Sequence, residues 1–181
     1  MTSERITERS PRLIARIAGA FYVVVFVLGI FSLIVRGPAG YAAAMIAGGF
    51  YVAVTVLFYF IFRPVNRNLS LLAAVISLAG ILIGPLGMFV APLSGISPLV
   101  FFGCYCLLIA FLILKSTFLP RFLAALMMFA GLGWLTFTSP SFAMSLAPYI
   151  FLPGIIGEGA LTFWLVVFGV KEELWRQQRV G

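Results

Sequence analysis

The chain has 181 residues, of which 63% are hydrophobic and 9% charged, with 19 phenylalanines and a formal net charge of +7. A water-soluble domain of this length cannot bury so much apolar surface, so the excess must face lipid. The positive charge does not mark a nucleic-acid binder, because the basic residues flank apolar runs instead of forming a stripe, which is how cations anchor membrane helices.

In chain order, residues 1–10 form a polar tail, and Arg5 and Arg9 within it fall on one helical face with Arg12 and Arg16 just beyond it, a topology anchor at anionic lipid. Ser10 followed by Pro11 reads as a helix N-cap with proline at the first position. The first helix is expected over residues 13–35; its unbroken apolar run is longer than the roughly 7–15 residues of a secretory core, so it is a membrane span. Arg36 to Gly40 forms a tight turn before a second helix over 41–62, rich in small residues near its start. Asn68 is the expected cap of a third helix over 69–91, whose Gly80, Gly84 and Gly87 offer a close-packing face and whose Pro85 should kink it. After a short 92–97 loop, Ser97-Pro98 opens a fourth helix over 98–114. Its Cys104 and Cys106, spaced i, i+2, point to different sides and read as small packing residues. A fifth helix is expected over 118–138, with Trp134 as an interface anchor, and a sixth over 147–170. The 171–181 tail is polar, with Glu172 and Arg176 spaced to pair.

Alternate connections carry very unequal charge. Eleven of the twelve Lys and Arg residues lie in the two tails or in the second and fourth connections, and only Arg36 lies in the others. The positive-inside rule then places both termini in the cytoplasm and makes the helix count even. The expected architecture is one all-α integral membrane domain over residues 1–181, a six-helix multi-pass bundle in the plasma membrane. The turns after helices 2 and 4 share a basic residue, a proline and an R-x-L start, a likeness that the charge rule itself would generate.

One residue breaks the apolar pattern. Glu158, between Gly157 and Gly159, sits near the middle of the last span, whereas Glu4, Glu8, Glu172 and Glu173 lie in the tails, and the chain has no Asp or His. A carboxyl at mid-membrane costs several kcal/mol unless it is protonated, hydrogen-bonded or facing a wet cavity. Gly154, Glu158, Thr162, Leu165 and Gly169 share one helical face, small and polar on a bulky helix, so that face should turn into the bundle. Pro153 should free the carbonyl of Tyr149 one turn before the acid, and a broken ladder beside a buried carboxyl builds a binding site at membrane depth. Tyr22, Tyr51, Thr55, Tyr59, Ser77, Tyr105 and Thr136 are the polar partners on offer. The ligand or ion site is therefore expected at Glu158, Thr162, Tyr105 and Pro153, with Gly154, Gly157, Gly159, Gly80 and Gly84 as helix-packing positions.

With no His, no Asp and no glycine-rich phosphate loop, the residues call for no catalytic set, no metal site and no cofactor. Two functions stay open. One is a bundle that binds or translocates a proton, a cation or a small ligand at Glu158. The other is a membrane scaffold or accessory subunit, homo-oligomeric through its glycine faces, in which Glu158 is a hydrogen-bonded packing residue.

The segments ARIAGAFY, FRPVNRNLSLLAA, FFGCYCLLIAFLILKSTFLPRFLAALMMFAGLG and LAPYIFLPGIIGEGALTFWLVVFGVK resemble a bacterial family of small polytopic membrane proteins catalogued as domain of unknown function 4386. By that resemblance Pro120, Arg121, Pro148, Pro153, Gly157 and Glu158 match the family pattern. Where the family commonly has His in helix 4 this chain has Tyr105, and its helix 3 region is shorter. The resemblance implies membrane location and a helical fold, and brings no activity with it.

Overall fold

The computed structural model describes residues 10–86 and 97–180, and every regular element among them is helical. The helices are α1 (Pro11–Ile34), α2 (Pro38–Phe62), α3 (Arg67–Leu86), α4 (Pro98–Lys115), α5 (Arg121–Leu135), a short α6 (Pro140–Ser145), α7 (Leu152–Val167) and α8 (Glu172–Val180), with single 3-10 turns at Thr136–Thr138 and Tyr149–Phe151. Expectations for Arg5, Arg9, Gly87 and residues 92–96 lie outside the described residues, as does the packing of Gly84 and Pro85.

Local chemistry sets most helix ends. The Ser10 side chain accepts from the amide of Leu13 at 3.3 Å, with Pro11 at the first position of α1. Between α1 and α2 the chain doubles back so tightly that a Cβ on Gly40 would lie 1.8 Å from the Val35 carbonyl oxygen. The cap of α3 is Asn66, not Asn68: its Oδ1 accepts from the amide of Leu69 at 2.9 Å, the three-residue reach of an N-cap. The fifth helix starts at Arg121 instead of 118, because Pro120 holds an extended ψ of 139° and its carbonyl accepts the first helical bond.

The last apolar stretch departs furthest from a single helix over 147–170. Pro140, Pro148 and Pro153 each lack an amide hydrogen and restrict the residue before them. The short α6 precedes the stretch, which itself divides into a 3-10 turn and α7, and α7 stops at Gly169 with a left-handed φ of +68°. Pro153 therefore sits in the first turn of α7, where an amide would be unpaired anyway, and not beside a broken ladder in mid-helix. The expected polar tail after 171 is a helix, α8. It docks through Trp175, whose Nε1 donates to the Ile61 carbonyl at 2.8 Å, and through Gln178, which bonds the Lys115 carbonyl and the Thr117 amide. Glu172 accepts from Ser10 Oγ and so ties the start of α1 to this end of the bundle.

The long helices form a closed ring. Each of α1 to α5 packs on its neighbour in the chain, α5 packs on α7, and α7 closes on α1. The distribution of polarity is inverted relative to a soluble protein: Thr55, Ser70, Ser77, Glu158 and Thr162 are buried, while Val27, Leu33, Leu71, Phe122, Leu132 and Phe163 are exposed. Among the described residues, five helical stretches are long and apolar enough to cross a membrane, and the apolar part of α3, Arg67–Ile83, is shorter than these five.

One end of the ring gathers the start of α1, the α2–α3 and α4–α5 turns, and α8. There Arg12 and Arg16 donate to the Phe168 and Val167 carbonyls at 3.2 and 2.9 Å, capping the C-terminus of α7 with positive charge. Two cations that the sequence assigns to anchoring thus also lock α7 to α1.

Candidate functional site

Glu158 is the middle residue of the Tyr149–Val167 span and is 5% exposed. Tyr22 Oη of α1 donates to its Oε2, Trp134 Nε1 of α5 donates to its Oε1, and Cys106 Sγ of α4 approaches Oε1 at 3.8 Å. Tyr51 Oη of α2 lies 3.4 Å from Tyr22 Oη. A phenol has one hydrogen, and Tyr22 gives its own to Glu158, so Tyr51 is the donor of that pair. One carboxyl therefore joins α1, α4, α5 and α7 directly and α2 through a second phenol.

The indole of Trp134 reaches Glu158 because α7 is notched one turn earlier. A Cβ on Gly154 would lie 2.2 Å from Cζ2 of that indole. A Cβ on Gly157 would lie 2.2 Å from the Leu126 carbonyl oxygen, so the backbones of α5 and α7 touch beside the acid. Pro153 packs on α5 too, within 2.6 Å of where a Cβ on Gly133 would stand. Gly80 performs the same service between α3 and α4, where a Cβ would lie 2.8 Å from Phe101 Cβ. Gly159 does not: a Cβ there meets nothing within 4 Å, because it points away from α5.

The remaining expected site residues are placed differently. Thr162, one turn below Glu158 on the same buried face, and Tyr105 on α4 are both buried, and neither hydroxyl has a hydrogen-bond partner among the described residues. Thr55 and Ser77 bond each other at 2.7 Å between α2 and α3, and Thr136 bonds the Gly133 carbonyl of its own helix end, so none of these three serves the carboxyl. Trp134 and Cys106 are the partners that sequence reasoning misses. By composition alone Trp134 belongs at the interface, where tryptophan is common. The signal that marks it is Gly154, four residues before the acid, a notch of the size an aromatic ring fills.

Above the carboxyl lies a cavity of about 240 Å³ lined by Tyr22, Phe26, Tyr51, Phe102, Trp134 and Phe151, by aliphatic residues of α1, and by Glu158. Its floor is buried, with Tyr22 1% and Tyr51 3% exposed, and its rim is open, with Ile30 50% and Leu33 69% exposed. On the other side of Glu158 the bundle is shut: Ala15 and Ala18 are fully buried, and a Cβ on Gly19 would lie 2.8 Å from Val166 Cγ2. The site is a one-ended apolar pocket with a carboxyl at its foot. It is not a polar path.

A family model described as Domain of unknown function (DUF4386) matches residues 93–169, which carry Tyr105, Cys106, Trp134 and Glu158 but not Tyr22. A protein of Archaeoglobus fulgidus, itself named only as uncharacterized, is 32% identical over 124 residues, covering 62% of this chain and 73% of the relative. No solved structure matches the chain. On the family match and this relative together, a membrane-type helical chain with its buried glutamate inside the matched region, the protein belongs to the DUF4386 family.

Proposed function

We propose that the protein is a non-catalytic plasma-membrane protein that binds a small amphiphile in the cavity above Glu158, with the ligand's polar head at the carboxyl and its apolar part between α1 and α4. The observation that carries this reading is the 240 Å³ cavity itself, almost wholly apolar and ending on the one carboxyl of the span. The apolar lining and the closed packing around Gly19 favour binding over conduction of water-borne ions. To read it, Trp164 and Trp175 are replaced by Phe so that Trp134 alone reports, and a brominated fatty alcohol is added in uncharged detergent. Saturable quenching is expected. Gly29→Phe should remove it, because Gly29 lines the cavity and has open space beside it.

The contrary reading, a scaffold, is favoured by one observation: Glu158 already has partners on three neighbouring helices. Quenching that rises linearly and is indifferent to Gly29→Phe would support the scaffold and end the ligand-binding proposal.

In the membrane, we infer six spans, with α3 crossing as the third, both termini cytoplasmic, and the basic end in contact with anionic lipid. The contacts of α8 with Ile61, Lys115 and Thr117 support one shared face for these turns. Cysteines placed at Asn66 and Thr117 should both react with an impermeant thiol reagent from the cytoplasmic side and not from outside. Labelling from opposite sides would refute the arrangement.

A further inference from the structure

We infer that the ligand class of this cavity is an organic cation without N–H donors, a quaternary or fully alkylated ammonium of small size. The inference rests on the ligand-binding reading above and goes further by naming the head group. Six aromatic side chains, Tyr22, Phe26, Tyr51, Phe102, Trp134 and Phe151, surround the space, and no Lys or Arg is among its described lining residues. Aromatic faces attract cations through the ring quadrupole, most strongly where water is excluded, and rings grouped around one space are how proteins hold quaternary ammonium groups. Tyr22 and Phe26 stack on each other at 5.5 Å, and the other rings stand at angles: Tyr51 meets Phe102 with centroids 4.8 Å apart and is edge-on to Tyr22 at 5.5 Å, while Trp134 meets Phe151 at 6.1 Å. Each wall ring is thus held by a neighbouring ring.

Glu158 supplies the counter-charge, and its hydrogen-bond inventory narrows the class. A carboxylate offers about four acceptor positions. Tyr22, Trp134 and Cys106 already occupy three. A primary ammonium needs acceptors for three N–H groups and finds one position left on the carboxylate, with the Tyr51 hydroxyl oxygen as a further acceptor on the wall. A quaternary ammonium needs none; it takes the field of the carboxylate and the faces of the rings. The volume, about 240 Å³, lies below the roughly 300–1,000 Å³ of sites for drug-sized ligands, so the cation is small. The carboxyl is at mid-span, far below lipid headgroup level, so the ligand is a free lipophilic cation and not the choline of a membrane lipid.

The test uses the full chain in uncharged maltoside detergent with three probes that share a benzyl group: benzyltrimethylammonium, its neutral carbon isostere neopentylbenzene, and the smaller primary cation benzylammonium. Trp134 emission reports binding in the protein whose other tryptophans are Phe. Benzyltrimethylammonium should bind saturably and roughly tenfold or more tighter than either of the others. Glu158→Gln should erase that preference while the neutral isostere binds as before. Phe26→Leu and Phe102→Leu, which do not touch the hydrogen-bonded carboxyl, should each weaken the cation roughly fivefold and the isostere much less, and they keep the test decisive if the Gln variant misfolds. Equal affinity for cation and isostere overturns the inference and leaves the ligand-binding reading standing. Binding of none of the three, with no quenching by the brominated alcohol, overturns both. Preference for benzylammonium overturns the argument from spent acceptors. Tighter displacement by a short-chain phosphatidylcholine moves the source to a lipid headgroup and overturns the free cation.

Discussion

Gly157→Ala should destabilise the bundle by about 1–3 kcal/mol, and Gly159→Ala, two residues away on the same helix, should leave it unchanged or slightly more stable. The two glycines flank Glu158 and look equivalent in the sequence. A methyl on Gly157 would meet the Leu126 carbonyl oxygen at 2.2 Å and Ala130 Cβ at 2.7 Å. Neither neighbour is the free end of a flexible side chain, so α7 must move away from α5, and the contact between them is what seats Trp134 against the acid. The helix propensity gained by replacing glycine, up to about 1 kcal/mol, opposes the clash without cancelling it. At Gly159 the added methyl meets nothing within 4 Å, so only the propensity gain remains. Reversible unfolding of the two variants in mixed micelles measures the difference directly. Equal stabilities would mean that α5 and α7 do not touch at Gly157, and the geometry of the Trp134 to Glu158 bond would fall with that contact.

This pair also shows where sequence reading runs out. Periodicity of 3.6 residues places Gly154, Glu158, Thr162 and Leu165 on one inward face, and all four are buried. It cannot separate Gly157 from Gly159, because both sit within one turn of the acid and the difference is which of them faces α5. Apolar run lengths locate the long helices, and Ser10-Pro11 marks the start of α1, since those signals are local. The breaks in the last stretch are written in Pro148 and Pro153, yet a long apolar run masks them when hydropathy alone sets the helix length. The closure of α7 on α1 is not local. It depends on Gly19 meeting Val166 and on Arg12 and Arg16 reaching the end of α7, pairs more than a hundred residues apart. Among the hydroxyls that could have served Glu158, only that closure selects Tyr22. Thr55 and Ser77, equally apt by composition, face each other elsewhere in the ring. The C-terminal helix is hidden for a different reason: its composition is polar, and the apolar contact that holds it is concentrated in Trp175.

Glu158→Ala should cost about 2–4 kcal/mol, whereas Glu158→Gln should cost less than about 1 kcal/mol. Alanine leaves a void and strips the acceptor from Tyr22 and Trp134, whose donors lie away from water. Each unsatisfied buried donor costs about 1–3 kcal/mol in a soluble protein. In a membrane the cost is smaller, because the unfolded helices find other partners in the bilayer, and the two lost bonds together therefore fall short of twice the soluble value. Glutamine escapes most of this cost for a reason specific to its two partners. An indole N–H can only donate, so the amide oxygen must face Trp134. The amide nitrogen then faces Tyr22, whose hydroxyl can accept. Tyr22 can turn its own hydrogen toward Tyr51, 3.4 Å away, and reverse the direction of that short chain. Both ends of the amide stay paired, and the remaining cost is the Tyr51 hydrogen, which loses its acceptor and turns to the cavity that Tyr51 lines. The same reasoning fixes the double variant: once Glu158 is Ala, replacing Trp134 by Phe removes an orphaned donor and should cost less than it does in the native background, a coupling that a double-mutant cycle measures. If Ala proves as mild as Gln, the carboxyl does not hold the helices together. If Trp134→Phe costs the same in both backgrounds, the indole and the acid do not interact, and neither the foot of the cavity nor its charge is where the geometry puts it.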